Sequence, residues 1–154
     1  MTIEINNESG MAVDEEMVLR LTEHNLANLN VSPDADVAIL FVDVGAMESL
    51  HVQWMDEPGP TDVLSFPMDE LRPGTEDSPT PAGLLGDIVV CPQVAAEQAA
   101  EARKTFASEV QLLVTHGLLH LLGFDHAEPE EEREMFGIQD SLLASFTATE
   151  RRRS

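Results

Sequence analysis

Thr115-His116-Gly117-Leu118-Leu119-His120-Leu121-Leu122-Gly123-Phe124-Asp125-His126 is the stretch on which the reading of this chain turns. His116 and His120 are four residues apart, so a helix places both imidazoles on one face, a turn apart. Gly123 lets the chain reverse after that helix, and His126 can then return to the same point. Three imidazoles converging in this way suit Zn2+ and leave a fourth position for water. A set of unrelated core or surface histidines is the bland alternative. It does not account for three of the five histidines falling at this spacing with a glycine where the chain must turn.

Working outward, Ser108 with Gln111 reads as a capping box that starts this helix. Pro92 fits the first turn of the preceding helix, which the Ala/Glu/Gln-rich segment carries to about Phe106. Pro129 opens a last helix, with Glu130, Glu131 and Glu132 at the positive end of its dipole. Upstream, residues 3–6 alternate as a first strand. Asp14 caps a helix that presents Val18, Leu21, Leu26 and Leu29 on one side, and Ser32-Pro33-Asp34 ends it. Residues 36–42 form a buried apolar strand, Asp43 caps a helix to about Met55, and Glu57-Pro58-Gly59-Pro60 turns. Residues 62–66 and 86–91 are two further strands. Between them the Pro- and Gly-containing residues 69–85 form a long, flexible loop, and residues 150–154 a frayed basic tail. The order β, α, β, α, β, β, α, α, α predicts an α+β fold: one small mixed sheet of about four strands against about five helices, within a single domain spanning 1–154.

Composition narrows the function. The chain has 29 Asp and Glu against eight Lys and Arg, for a formal net charge of −21. Such a surface opposes unaided binding to nucleic acid or anionic membrane. Six Phe, one Trp and no Tyr make a base-stacking platform improbable. One cysteine, Cys91, excludes an internal disulfide framework. No export signal is visible in the acidic first twenty residues, and the longest apolar stretch, residues 112–124, is too short to span a bilayer. The expected setting is the cytoplasm.

The histidine spacing equals that of the metzincin zinc-protease signature, H-E-x-x-H-x-x-G-x-x-H, with Gly117 in place of the glutamate that serves as general base. Peptide hydrolysis needs that base to relay a proton to the leaving amine, so Gly117 disfavours a peptidase. A mid-helix glycine costs roughly 1 kcal/mol against alanine, which calls for a steric reason. The expectation is that Gly117 leaves room for a substrate group beside the metal.

His116-Gly117-x-x-His120-Leu121-x-Gly123-x-Asp125-His126 closely resembles the signature of the YbeY family, bacterial zinc-dependent endoribonucleases of rRNA maturation. Pro60-Thr61-Asp62-Val63-Leu64-Ser65-Phe66-Pro67 and Gly86-Asp87-Ile88 resemble the family's other two blocks, in the same order. The resemblance implies one zinc on His116, His120 and His126, with single-strand-specific RNA cleavage. It also implies a part in 16S rRNA 3′-end processing and in ribosome quality control. In one respect the chain departs from the family. Many members carry an arginine just after the aromatic of the block before Pro60, where Trp54 is followed here by Met55. A guanidinium there would stabilise charge on a scissile phosphate, and Arg72 in the long loop is the candidate substitute.

Asp125 has three readings: orienting a ligand imidazole, accepting a proton, or forming the turn. Asp62 and Asp87 read as strand-end caps. His24 and His51 read as ordinary histidines, Cys91 as a buried inert thiol, and Trp54 with the methionines as core. The charge implies weak affinity for free RNA and delivery to a 16S rRNA precursor by a ribosomal, small-subunit partner. DNA and membrane are not expected partners. Two rivals to the nuclease remain: the zinc peptidase, and a non-catalytic ribosome assembly factor with a structural zinc. Three visible protein ligands, rather than four, favour an open catalytic position over a structural one.

Overall fold

Strand alternation and the buried apolar runs build the sheet. The computed structural model describes residues 2–55 and 61–153; the expected turn at Glu57-Pro58-Gly59-Pro60 lies outside the described residues, as does the Met55 side chain. Four strands, β1 (Thr2–Asn7), β2 (Asp36–Phe41), β3 (Val63–Pro67) and β4 (Leu84–Val90), lie in the order β1-β2-β4-β3. β1, β2 and β4 are parallel, while β3 closes one edge antiparallel to β4. One face carries Val37, Ile39, Phe41, Ile88 and Val90 into the main core. Leu64 and Val89 face the other way, into a smaller cluster with Met47. Coverage on both faces is what a largely parallel sheet requires.

Helix α1 (Glu15–Asn28) starts where Asp14 accepts the Met17 N–H at 3.1 Å. It stops earlier than Pro33 would dictate, because Asn30 takes a left-handed conformation, φ 55°. Helix α2 (Val44–Met55) begins at the Asp43 carboxylate, which accepts the Ala46 N–H. Helix α3 (Pro92–Ala102) opens on its proline and ends in left-handed Arg103, short of Phe106. Helix α4 (Phe106–Leu121) therefore starts sooner than the Ser108 capping box predicts. Its cap is Thr105, in extended backbone, whose hydroxyl accepts the Ser108 N–H. Helix α5 (Pro129–Arg153) continues through the basic end expected to fray, and Arg20 meets Glu150 there at 2.8 Å.

The connection after β3 is tied down at several points. Thr80 is buried and bridges Val31, with Ser32 N–H donating to the Thr80 carbonyl and Thr80 N–H to that of Asn30. Gly74 N–H donates to the Leu29 carbonyl, and Leu84 N–H to the Asp69 carboxylate. No helix among the described residues is long and apolar enough to cross a membrane.

α4 is the central helix, packing on β3, β4, α1, α3 and α5. A Cβ added to Gly117 would lie 2.8 Å from Ile88 Cγ2, 3.2 Å from Ser65 Oγ and 3.3 Å from Val63 Cγ2. The Ser65 hydroxyl donates to the Gly117 carbonyl at 2.9 Å. This corrects the expectation of a substrate-sized space: the gap beside Gly117 is filled by the sheet itself, so the glycine serves close helix–sheet approach. Gly117→Ala is expected to lower stability. Overpacking against the β-branched Ile88 costs about 1–3 kcal/mol, more than the roughly 1 kcal/mol of helix propensity gained. The urea midpoint checks this, and an unchanged or higher midpoint would show that helix and sheet can part cheaply.

Candidate metal centre

His116 and His120 occupy the last two turns of α4. The helix then closes on Gly123, at φ +93°, whose N–H donates to the His120 carbonyl. Phe124 N–H returns to the Leu119 carbonyl, and Asp125 Oδ1 accepts the His126 N–H at 2.7 Å. This hairpin brings the three rings together, with centroids 4.6, 5.5 and 5.3 Å apart. One ring nitrogen from each lies within 4.8 Å of the others, so His116, His120 and His126 form a group able to hold a metal ion.

The hydrogen bonds around the rings test that fit. Gln139 Oε1 lies 2.8 Å from His116 Nδ1. A carbonyl oxygen only accepts, so Nδ1 carries the proton and Nε2 presents its lone pair. The Phe124 carbonyl acts on the His120 ring to raise its pKa. His116 Nε2 and His120 Nε2 face each other at 3.1 Å. When both nitrogens carry lone pairs, the two repel unless a cation lies between them. Their spacing is near the roughly 3.4 Å separating two nitrogens on one tetrahedral zinc at 2.0–2.1 Å. Burial, and then the neighbouring His116 and His126, lower the His120 pKa, while the Phe124 carbonyl and Asp125 oppose this. The net shift favours the neutral ring, the form in which an imidazole can bind a metal.

The rings sit in a cleft of about 580 Å³. Asp62, Val63, Leu64, Ser65 and Pro67 of the β3 segment form one wall. α4 contributes Glu109, Leu112 and Leu113, and α5 contributes Phe136 and Gln139. Among the described residues no lysine or arginine lines it. Glu109 is buried and paired with Lys104 at 3.1 Å.

Arg72 lies elsewhere: its guanidinium occupies the space a Cβ on Gly123 would take, and donates to the Leu71 carbonyl. Asp62 accepts the Val63 N–H at 2.7 Å, and Asp87 sits within β4 on the face opposite the metal helix. His24 packs edge-on against Phe146, and the metal group includes neither it nor His51. Cys91 is buried. Trp54, expected in the core, is 60% exposed and meets only the edge of Phe66 among ring contacts of the described residues.

Two cleft residues, Phe136 and Gln139, escaped the sequence reading. α5 buries Met135, Gln139, Leu142 and Phe146 at helical spacing. A lone amide in an apolar stripe was the available signal for Gln139.

A family model described as Endoribonuclease YbeY matches residues 3–147. A protein named Endoribonuclease YbeY from Clavibacter sepedonicus is 69% identical over 153 residues, covering 99% of this chain and 100% of its own. Another of that name, from Leifsonia xyli subsp. xyli, is 65% identical over 151 residues, covering 98% and 99%. The solution structure of a Thermotoga maritima protein superposes with a TM-score of 0.66 at 28% identity, covering 98% of this chain and 93% of its own.

Gln139→Leu is expected to weaken Zn2+ affinity about 10–100-fold, the usual effect of removing an orienting partner. Gln139→Glu keeps the acceptor and should retain affinity, and chelator competition measures both. Affinity should also fall as pH drops, because protons compete with the metal for the ring nitrogens. The lowered pKa of His120 moves its own competition to pH values below the ordinary imidazole range.

Proposed function

The chain belongs to the YbeY endoribonuclease family, and from that premise we propose that it is a zinc-dependent, single-strand-specific endoribonuclease that matures the 3′ end of 16S rRNA and serves ribosome quality control. The observation that carries this reading is the convergence of His116, His120 and His126 at an open cleft. Bound there, zinc supplies Lewis-acid polarisation of a phosphoryl oxygen and eases deprotonation of an attacking water or ribose hydroxyl. The protein's part is to hold the ligands. Gln139 fixes the His116 tautomer, and Asp125 shapes the turn that presents His126. With Gly117 packed on the sheet, no carboxylate stands where a peptidase keeps its proton relay.

The setting is the cytoplasm, and the chain acts as one domain. Because the surface is acidic and the described cleft lining lacks cations, binding of free RNA should be weak and only shallowly dependent on salt. A small-subunit ribosomal partner delivers the precursor. A steep fall in affinity with salt would instead reveal many phosphate contacts.

Cleavage of a 16S rRNA 3′-end precursor fragment by wild type and His116→Ala, both with measured zinc content, tests the reading. Wild type alone is expected to cut, in single-stranded regions; a zinc-loaded wild type that does not cut favours the non-catalytic assembly factor. Arg72→Ala in the same assay decides the guanidinium's part. Loss of cleavage at full zinc content gives it a role at the phosphate, and unchanged cleavage removes it.

A further inference from the structure

We infer that Phe136 is a stacking surface for one unpaired nucleobase beside the metal centre, and that this contact, rather than phosphate binding, selects single-stranded substrate. The inference deepens the nuclease reading and rests on it.

Phe136 stands one residue away from the stripe that docks α5: Met135, Gln139, Leu142 and Phe146 are buried, whereas Phe136 is 36% exposed and lines the cleft. Its ring centroid lies 6.1 Å from His116 and 6.0 Å from His126, tilted by 46° and 35°. At those separations the rings adjoin without close stacking. The site is thus flanked by a partly exposed aromatic ring, about 6 Å from two of the three histidine rings and lining the same cleft.

Charge excludes the usual alternative. Arg133 is one turn before Phe136 on α5, but Glu130, Glu131, Glu132 and Glu134 surround it. The described cleft lining adds Asp62 and Glu109 and no lysine or arginine. The phosphate backbone gains little here, whereas stacking on an aromatic face does not depend on charge and accepts any base. A base held in a duplex is already stacked on both sides and cannot offer its face, so a contact of this kind discriminates against paired RNA. One ring gives a single-base contact, not the multi-ring platform that the aromatic content rules out.

The test uses the zinc-loaded full chain and a short single-stranded RNA, alongside the same RNA made abasic in turn at the nucleotides flanking the cut. Phe136→Ala should raise KM about 5- to 150-fold, the loss expected of one stacked base, with little change in kcat. Phe136→Trp should retain wild-type KM, while Phe136→Leu, which keeps apolar volume without the ring, should behave like alanine. Zinc affinity should be unchanged in all three. On one abasic RNA, wild type should fall to the Phe136→Ala level and the variant should lose nothing more. An unchanged KM, a loss that persists undiminished on every abasic RNA, or a parallel loss of zinc would each overturn the stacking site. If wild type cuts and Phe136→Ala matches it, stacking alone fails. If zinc-loaded wild type neither cuts nor binds the RNA, the nuclease reading fails first and takes this inference with it.

Discussion

A helix that brings no side chain of its own to its closest approach on the sheet sets the position of everything else in this molecule. At Gly117, α4 approaches so closely that Ile88, Ser65 and Val63 occupy the space a Cβ would take, and the Ser65 hydroxyl fastens the helix through the Gly117 carbonyl. Two further ties hold its angle. Asn25 of α1 donates to the buried Thr115 hydroxyl at 3.0 Å, and Leu118, Leu119, Leu121 and Leu122 are fully or almost fully buried. His116 stands between Thr115 and Gly117, so its ring is directed by contacts made on either side of it. Seating α4 this deeply leaves the β3 edge and α5 as the walls of the cleft.

The histidine cluster in turn binds the helices to one another. Gln139 is buried, and an amide placed there without a partner would cost roughly 1–3 kcal/mol. Its bond to His116 removes that cost and at the same moment selects the tautomer. α5 is otherwise rich in acid, with Glu130, Glu131, Glu132 and Glu134 in its first turns. Its attachment to the rest of the chain therefore runs through Met135, Gln139, Leu142 and Phe146. The Gln139–His116 bond thus ties α5 to α4 at the same point where it orients the ring.

The element order and the convergence of the three histidines were legible because each rests on a local rule. The His116–His120 spacing, the Gly123 turn, the Asp14 cap and Pro92 at a helix start all act within a few residues. Errors came where two local signals competed or where distant residues decided. Thr105 outcompeted Ser108 as a cap because the extended backbone at 105 presents its hydroxyl to the next turn. The tail from 150 held its helix because Glu150 finds Arg20, 130 positions away. Gly117, costly in mid-helix, has its steric reason in β3 and β4, which no spacing along α4 reveals. Gln139 and Phe136 reach the cleft only once α5 is docked, so neither stands out in the sequence as part of a motif.

β3 is the edge of the sheet, and its outward backbone is nearly mute. Cys91 N–H bonds the Asp62 carbonyl and Met68 N–H the Leu85 carbonyl, so residues 62, 64, 66 and 68 turn their backbone toward β4. Val63, Ser65 and Pro67 turn theirs to the cleft. The Val63 N–H is taken by the Asp62 carboxylate, and Pro67 has none. Ser65 alone is left with an amide hydrogen to offer. An extended peptide laid beside this strand would find one amide donor, at Ser65, among outward carbonyls, so β3 is a poor edge for adding a strand. Beside a site with the histidine spacing of a protease, one carboxylate and one imino acid thus take away most of the donors by which a polypeptide would be held.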